Sequence, residues 1–315
     1  MGYSRWSDTV YQDRQQQRRR TNQTAFTYDR QVRESGRVEV HPQMNPFRKV
    51  RESRESDVHP AATAIAVIFD VTGSMGDVPR VLQTKLGGLM HLLLEKRYVP
   101  DPQLLFGAVG DAHCDCVPLQ IGQFESGLEM DDDLGKIYLE GGGGGQVHES
   151  YELALYFMAT HTAIDCFDRR RRRGYLFTIG DEKPYSKLRR EHVRQHIGDV
   201  LKQDAPVEMV VAAVNQRYHH FHIVPTHTAH GSSPDVQERW RSLLGERVLL
   251  LDDEAAVCET IALTIGLNEG ALDDLERGVD DLRMAGYDDG AAQAAVTAMT
   301  RSTLGGRRNG GTGSF

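Results

Sequence analysis

The sequence predicts an α/β chain built on a doubly wound, mostly parallel sheet with helices on both faces. Two observations carry this. The run Ala64-Ile-Ala-Val-Ile-Phe69 is unbroken and apolar, as suits a central strand covered on both faces rather than an alternating edge strand. Further apolar strand-like runs alternate with segments of helical spacing, the pattern that brings parallel strands together through crossover helices.

Residues 1–60 are rich in Gln, Arg, Ser and Asp, include Gln15-Gln-Gln-Arg18-Arg-Arg20 and show little apolar periodicity. Such a segment is expected to be a mostly disordered basic arm. Its aromatics, among them Tyr3, Trp6, Tyr11, Phe26 and Tyr28, leave room for part of it to lie on the body or fold onto a partner.

The first strand ends in Asp70-Val-Thr72-Gly-Ser74. If the chain stays extended past Phe69, the i, i+2, i+4 spacing turns Asp70, Thr72 and Ser74 to one side. Three hard oxygen donors suit Mg²⁺ or Mn²⁺ rather than zinc. Asp77 is placed to cap a helix carrying Val78, Val81, Leu82, Leu86, Leu89, Met90 and Leu93 at helical spacing. Leu104 to Val109 and Leu119 to Phe124 read as strands, and Glu129 to Leu139 as a short helix. Asp111, another acid at a strand end, suits a supporting role near the metal or a turn cap.

Gly141 to Gly145 break any regular element and permit close backbone approach to an ion or phosphate. Gln146, His148, Glu149 and Ser150 follow and open a helix. The run Arg169 to Arg173 joins that helix to the strand Gly174 to Ile179, which places it at the opposite end of a parallel sheet from the metal loops, as a solvated turn or a separate docking patch. Lys187 to Leu201 is predicted as a helix, Val207 to Val214 and Arg247 to Leu251 as the last two strands. Asp252-Asp-Glu254 then opens a helix that Gly266 is positioned to end. Beyond Asn268, a hairpin of two helices over 269–304 and a flexible tail over 305–315 complete the chain.

The formal net charge of -8 is uneven: residues 1–60 hold 12 Lys+Arg against 8 Asp+Glu, and the rest 25 against 37. An acidic body argues against a general nucleic-acid binder, and the arm could touch an acidic partner or a phosphate backbone. Four cysteines without framework spacing, no secretory signal and no long apolar segment predict a cytoplasmic protein with no membrane span. Neither His113-Cys114-Asp115-Cys116 nor the histidines from His219 to His230 show a recognised zinc spacing.

The pentapeptide Asp70-Val-Thr72-Gly-Ser74 resembles the Asp-x-Ser/Thr-x-Ser motif of the metal-ion-dependent adhesion site in von Willebrand factor A (vWA) domains. The resemblance covers 62–268 and rests on three strand ends in order: this motif, the loop ending at Gln146, and Thr178-Ile-Gly-Asp181. It implies a vWA-like fold and a Mg²⁺ held by Asp70, Thr72, Ser74, Gln146 and Asp181, with Gln146 where related sequences carry Thr or Asp. It implies also that the ion bridges to a carboxylate of a protein partner, and that the partner is a MoxR-type AAA+ ATPase in a bacterial cell. The rival is a haloacid-dehalogenase-like phosphatase, whose Asp-x-Thr-Gly-Ser loop would make Asp70 a nucleophile. Against it, Asp181 is followed by Glu-Lys-Pro-Tyr without the second acid such motifs add.

Overall fold

A computed structural model describes residues 4–75, 77–141 and 147–302, apart from the side chain of Ser74. Its centre is a six-stranded sheet: β1 (Ala62–Asp70), β2 (Asp101–Val109), β3 (Leu119–Ile121), β4 (Gly174–Ile179), β5 (Tyr218–Pro225) and β6 (Val248–Leu251). The spatial order is β6-β5-β4-β1-β2-β3, all parallel except β3, which runs antiparallel to β2. All nine residues of β1 are buried. Its pleat divides them: Ile65, Val67 and Phe69 enter one apolar core, and Ala64, Ala66 and Ile68 the other. Two cores require helices on both faces, and the uninterrupted apolar run is the consequence.

The first core is closed by α1 (Asp8–Thr21), α3 (Val78–Glu95) and α4 (Glu129–Gly135) from the first half of the chain, while α2 (Thr27–Ser35) packs its Val32 on Val117 and Tyr138 in a small separate cluster. The second takes α5 (Tyr151–Thr160), α6 (Val207–Arg217) and α7 (Pro234–Leu244). From the end of the chain α8 (Val257–Glu269), α9 (Leu275–Met284) and α10 (Asp289–Arg301) return to the first core. α8 runs through Gly266 to the left-handed Gly270 at φ 73°. Gly266 serves packing instead of termination, since an added Cβ there would lie 2.8 Å from Leu272 Cδ1 and 3.0 Å from Tyr98.

Three further expectations are corrected. Val207 to Val214, predicted as a strand from its β-branched residues, is the helix α6, whose buried Val207, Val210, Val211 and Val214 recur at i, i+3, i+4, i+7. The helical period outweighs β-propensity here because the valine stripe packs on α5. The true strand is the histidine-rich Tyr218–Pro225, paired with β4 on one side and β6 on the other. Lys187 to Leu201 is not one helix: Lys187–Leu188 pair with Ala205–Pro206, and a helical turn over 190–197 stops at left-handed Gly198.

The segment before Pro60, expected to be mostly disordered, is folded onto the body. Tyr11, Phe26 and Met44 are buried in the first core, and Arg51–Ser53 pair with Thr162–Ile164. Tyr11 lies on Gly87 of α3, where a Cβ would come within 2.8 Å of its ring, and its hydroxyl donates to the Gln83 carbonyl. Arg18 grips the buried Asp131 with two hydrogen bonds of 2.7 and 2.9 Å. Widely spaced single anchors leave no periodicity to read.

Candidate functional site

The chain leaves β1 for β2 and β3 on one side and later returns to β4 on the other. The switch point of the sheet therefore lies between β1 and β4, where open α/β sheets form a crevice at the carboxyl ends of the strands. Asp70 is the last residue of β1, and Asp181 lies two residues beyond β4, in a register that pairs Phe69 with Ile179. Both carboxylates are fully buried.

The loop after β1 turns back on its own acid. Thr72 donates to Asp70 Oδ1 twice, through its backbone N–H at 2.7 Å and its hydroxyl at 2.6 Å. On the other oxygen, the Tyr151 hydroxyl at the start of α5 lies 3.5 Å from Asp70 Oδ2. Gly180 makes that approach possible, since a Cβ there would run into Tyr151 Oη and stand 3.1 Å from the Asp70 Cβ. Asp181 Oδ2 accepts from the His230 backbone N–H at 2.9 Å.

More acids surround this pair than the motif contains. Burial raises Asp70 from the ordinary 3.8 to about 7, against the Thr72 hydrogen bonds and with a further push from Asp181. Burial and the nearby Asp70 raise Glu182 to about 8, and Glu149 is displaced upward for the same reasons. Glu152, raised by burial, is not one of these: its charged neighbour is Asp111, and it accepts from the Tyr185 backbone N–H at 3.2 Å. Glu149 Oε2 and Glu182 Oε2 are buried, and a hydrogen bond from Glu149 partly offsets the rise at Glu182. Clustered buried carboxyls must hold protons or meet a cation, so this donor set fits a hard metal ion. Of the residues named from the motif, Asp70, Thr72 and Asp181 are described. The Ser74 side chain and Gln146 lie outside the described residues. No group of three or more His, Cys, Asp or Glu side chains among those described is set out to hold a metal by itself.

Tyr151, Glu152 and Glu182 did not emerge from the motif. The detectable signal is the acid directly after Asp181 and the Tyr-Glu pair opening α5. Asp111 sits beside the cluster, where burial is outweighed by hydrogen bonds from His113 and from the Tyr185 hydroxyl at 2.9 Å, leaving it below its ordinary value. Cys114 and Cys116 are exposed free thiols, and partial burial beside Asp111 and Asp115 lifts Cys114 to about 12. His220 and His222 are buried in β5, both within 3.0 Å of Thr178 Oγ1, and His222 stacks on Trp240 at 3.5 Å.

Fold and site together define a mixed α/β protein with a mostly parallel sheet and buried acids at its switch point. Among the described residues no helix is long and apolar enough to cross a membrane. The chain matches no protein-family model and no curated protein. Among solved structures it is similar to the pilus adhesin SpaC from Lactobacillus rhamnosus GG, with a TM-score of 0.44 and 9% identity over 69% of this chain and 31% of that one. It is similar also to proximal thread matrix protein 1 from the mussel byssus, with a TM-score of 0.41 and 12% identity over 67% of this chain and 46% of that one. The chain thus spans about a third of the adhesin and just under half of the mussel protein.

Proposed function

We propose that this chain is a metal-dependent protein-recognition module of vWA type, holding Mg²⁺ or Mn²⁺ at Asp70, Thr72, Ser74, Gln146 and Asp181. The observation that supports it is the placement of Asp70 and Asp181 at neighbouring strand ends, both fully buried, with a threonine hydroxyl on the same loop. When bound, the ion supplies an incompletely neutralised positive charge that a partner's carboxylate can complete. This chain's own residues do the rest: the acids set the charge, Thr72 fixes the rotamer of Asp70, and Gly180 lets the Tyr151 hydroxyl approach Asp70. In this reading the protein works in a bacterial cytoplasm with a partner presenting an acidic residue, such as a MoxR-type AAA+ ATPase.

Capture of that ATPase by the purified protein, with and without chelator, tests the proposal. Capture should be lost in chelator and in Asp70→Ala and Asp181→Ala, each with an unchanged circular dichroism spectrum. Capture that ignores both chelator and substitutions removes the adhesion reading.

A further inference from the structure

At the other end of the sheet the amino ends of β4 and β5 form a cleft of about 350 Å³, lined by Arg171, Arg172, Arg173, His219, Asn268 and Glu269. The five-arginine run divides into two parts. Arg169 and Arg170 are engaged with Glu55 at 3.1 and 2.8 Å. The last three face the cleft, where the lining carries three guanidinium groups against the single carboxylate of Glu269.

That carboxylate is already committed, pairing with Arg172 and accepting from the Tyr175 hydroxyl at 2.7 Å. Arg171 is exposed and makes no ion pair or side-chain hydrogen bond among the described residues. Its backbone is left-handed at φ 58°, pinned by its own N–H to the Phe167 carbonyl, while the Arg172 N–H bonds Cys166. Arg173 and the half-buried Arg247 converge on Asn215, the first at its carbonyl oxygen (3.3 Å) and the second at its side-chain oxygen (2.9 Å).

Beside Arg171 in the same lining, His219 stacks on Tyr175 at 5.3 Å and is lowered to about 4 by burial, then by Arg173, Arg247 and Arg172. Convergent like charges around a neutral imidazole cost free energy that an anion recovers. We propose that this cleft binds a small phosphate-bearing ligand, with Arg171, Arg172 and Arg173 as the partners of a doubly charged phosphoryl group. The concave shape and small volume suit a small molecule. An extended polyanion is disfavoured by a chain whose net charge is -8. The cleft is separate from the metal site, and its test does not depend on that reading.

The experiment is a titration of the full chain followed through the His219 ring resonances, assigned with His219→Gln. Inorganic phosphate and ADP are added in turn, with ionic strength held constant by chloride. Saturable shifts are expected, with the His219 pKa rising from about 4 as the anion binds. Arg171→Gln, which removes no internal contact, should weaken binding about tenfold or more, the loss of one charge-assisted hydrogen bond. If ADP binds at least tenfold more tightly than phosphate the ligand is a nucleotide, and equal affinity identifies the phosphoryl group alone as the recognised part. No saturable response to either probe, an equal response to chloride, affinity unchanged in Arg171→Gln, or a response only to an oligonucleotide overturns the proposal.

Discussion

Replacing Asp70 by Asn should stabilise the metal-free protein, although Asp70 is the centre of the candidate site. Asn keeps the shape and the Oδ1 acceptor that Thr72 uses, and removes only the charge. Burial and Asp181 raise the carboxyl from 3.8 to about 7. That rise corresponds to about 4 kcal/mol lost from folding once the group is ionised. The sign follows from the raised value: the penalty is absent below the unfolded pKa near 4, grows as pH rises towards 7, and is constant above. At pH 8 in chelator, the Asp70→Asn variant is therefore expected to gain about 2–4 kcal/mol over wild type, allowing for relaxation of the neighbouring acids. At pH 4 the two should be equal. Mg²⁺ at about a thousand times its Kd should reverse the order, because it stabilises wild type by about 4.1 kcal/mol and Asp70→Asn little. Urea unfolding at the two pH values, with chelator and with Mg²⁺, reads all four terms. If Asp70→Asn were less stable than wild type in chelator at pH 8, the buried charge would not be the strain described here, and equal Mg²⁺ stabilisation of both proteins would place the ion elsewhere.

Gly180→Ala inserts a Cβ between Tyr151 and Asp70 and should weaken Mg²⁺ binding at least tenfold by calorimetry, while overall unfolding shifts by about 1–3 kcal/mol as expected for overpacking. Gln146→Asp adds charge to the ion's surroundings, so calorimetry should show tighter Mg²⁺ binding in the free protein and capture assays weaker partner binding. Beryllofluoride trapped stoichiometrically at Asp70 in wild type would instead establish the phosphatase reading. Tyr11→Ala removes a buried ring seated on Gly87 and should cost up to about 3–5 kcal/mol of the docking of residues 8–21. Limited proteolysis should then cut that segment in the variant and spare it in wild type, and equal resistance would show that Tyr11 is not the anchor.

The sequence by itself determined what depends on neighbours along the chain. The run before Asp70 is buried on both faces wherever the sheet closes, and the stripe from Val78 to Leu93 is helical because only a 3.6-residue period aligns it. The acid and hydroxyls of the first loop are legible for the same reason, being adjacent at spacing set by the backbone. Only the tertiary structure decided what depends on distant partners. Strand order sets Asp70 beside Asp181, more than a hundred positions away, and brings Glu149 and Glu182 into the same dry volume, where burial alters their protonation. Val207 to Val214 carries strand-favouring residues at helical spacing, and packing on α5 settles the conflict. Tyr11, Phe26 and Met44 are single anchors whose cavities are made by other elements. Arg171 to Arg173 become a cleft because β5 delivers His219 and α8 delivers Glu269. Local period is encoded residue by residue, whereas burial, charge environment and the pairing of far segments exist only once the chain has closed on itself.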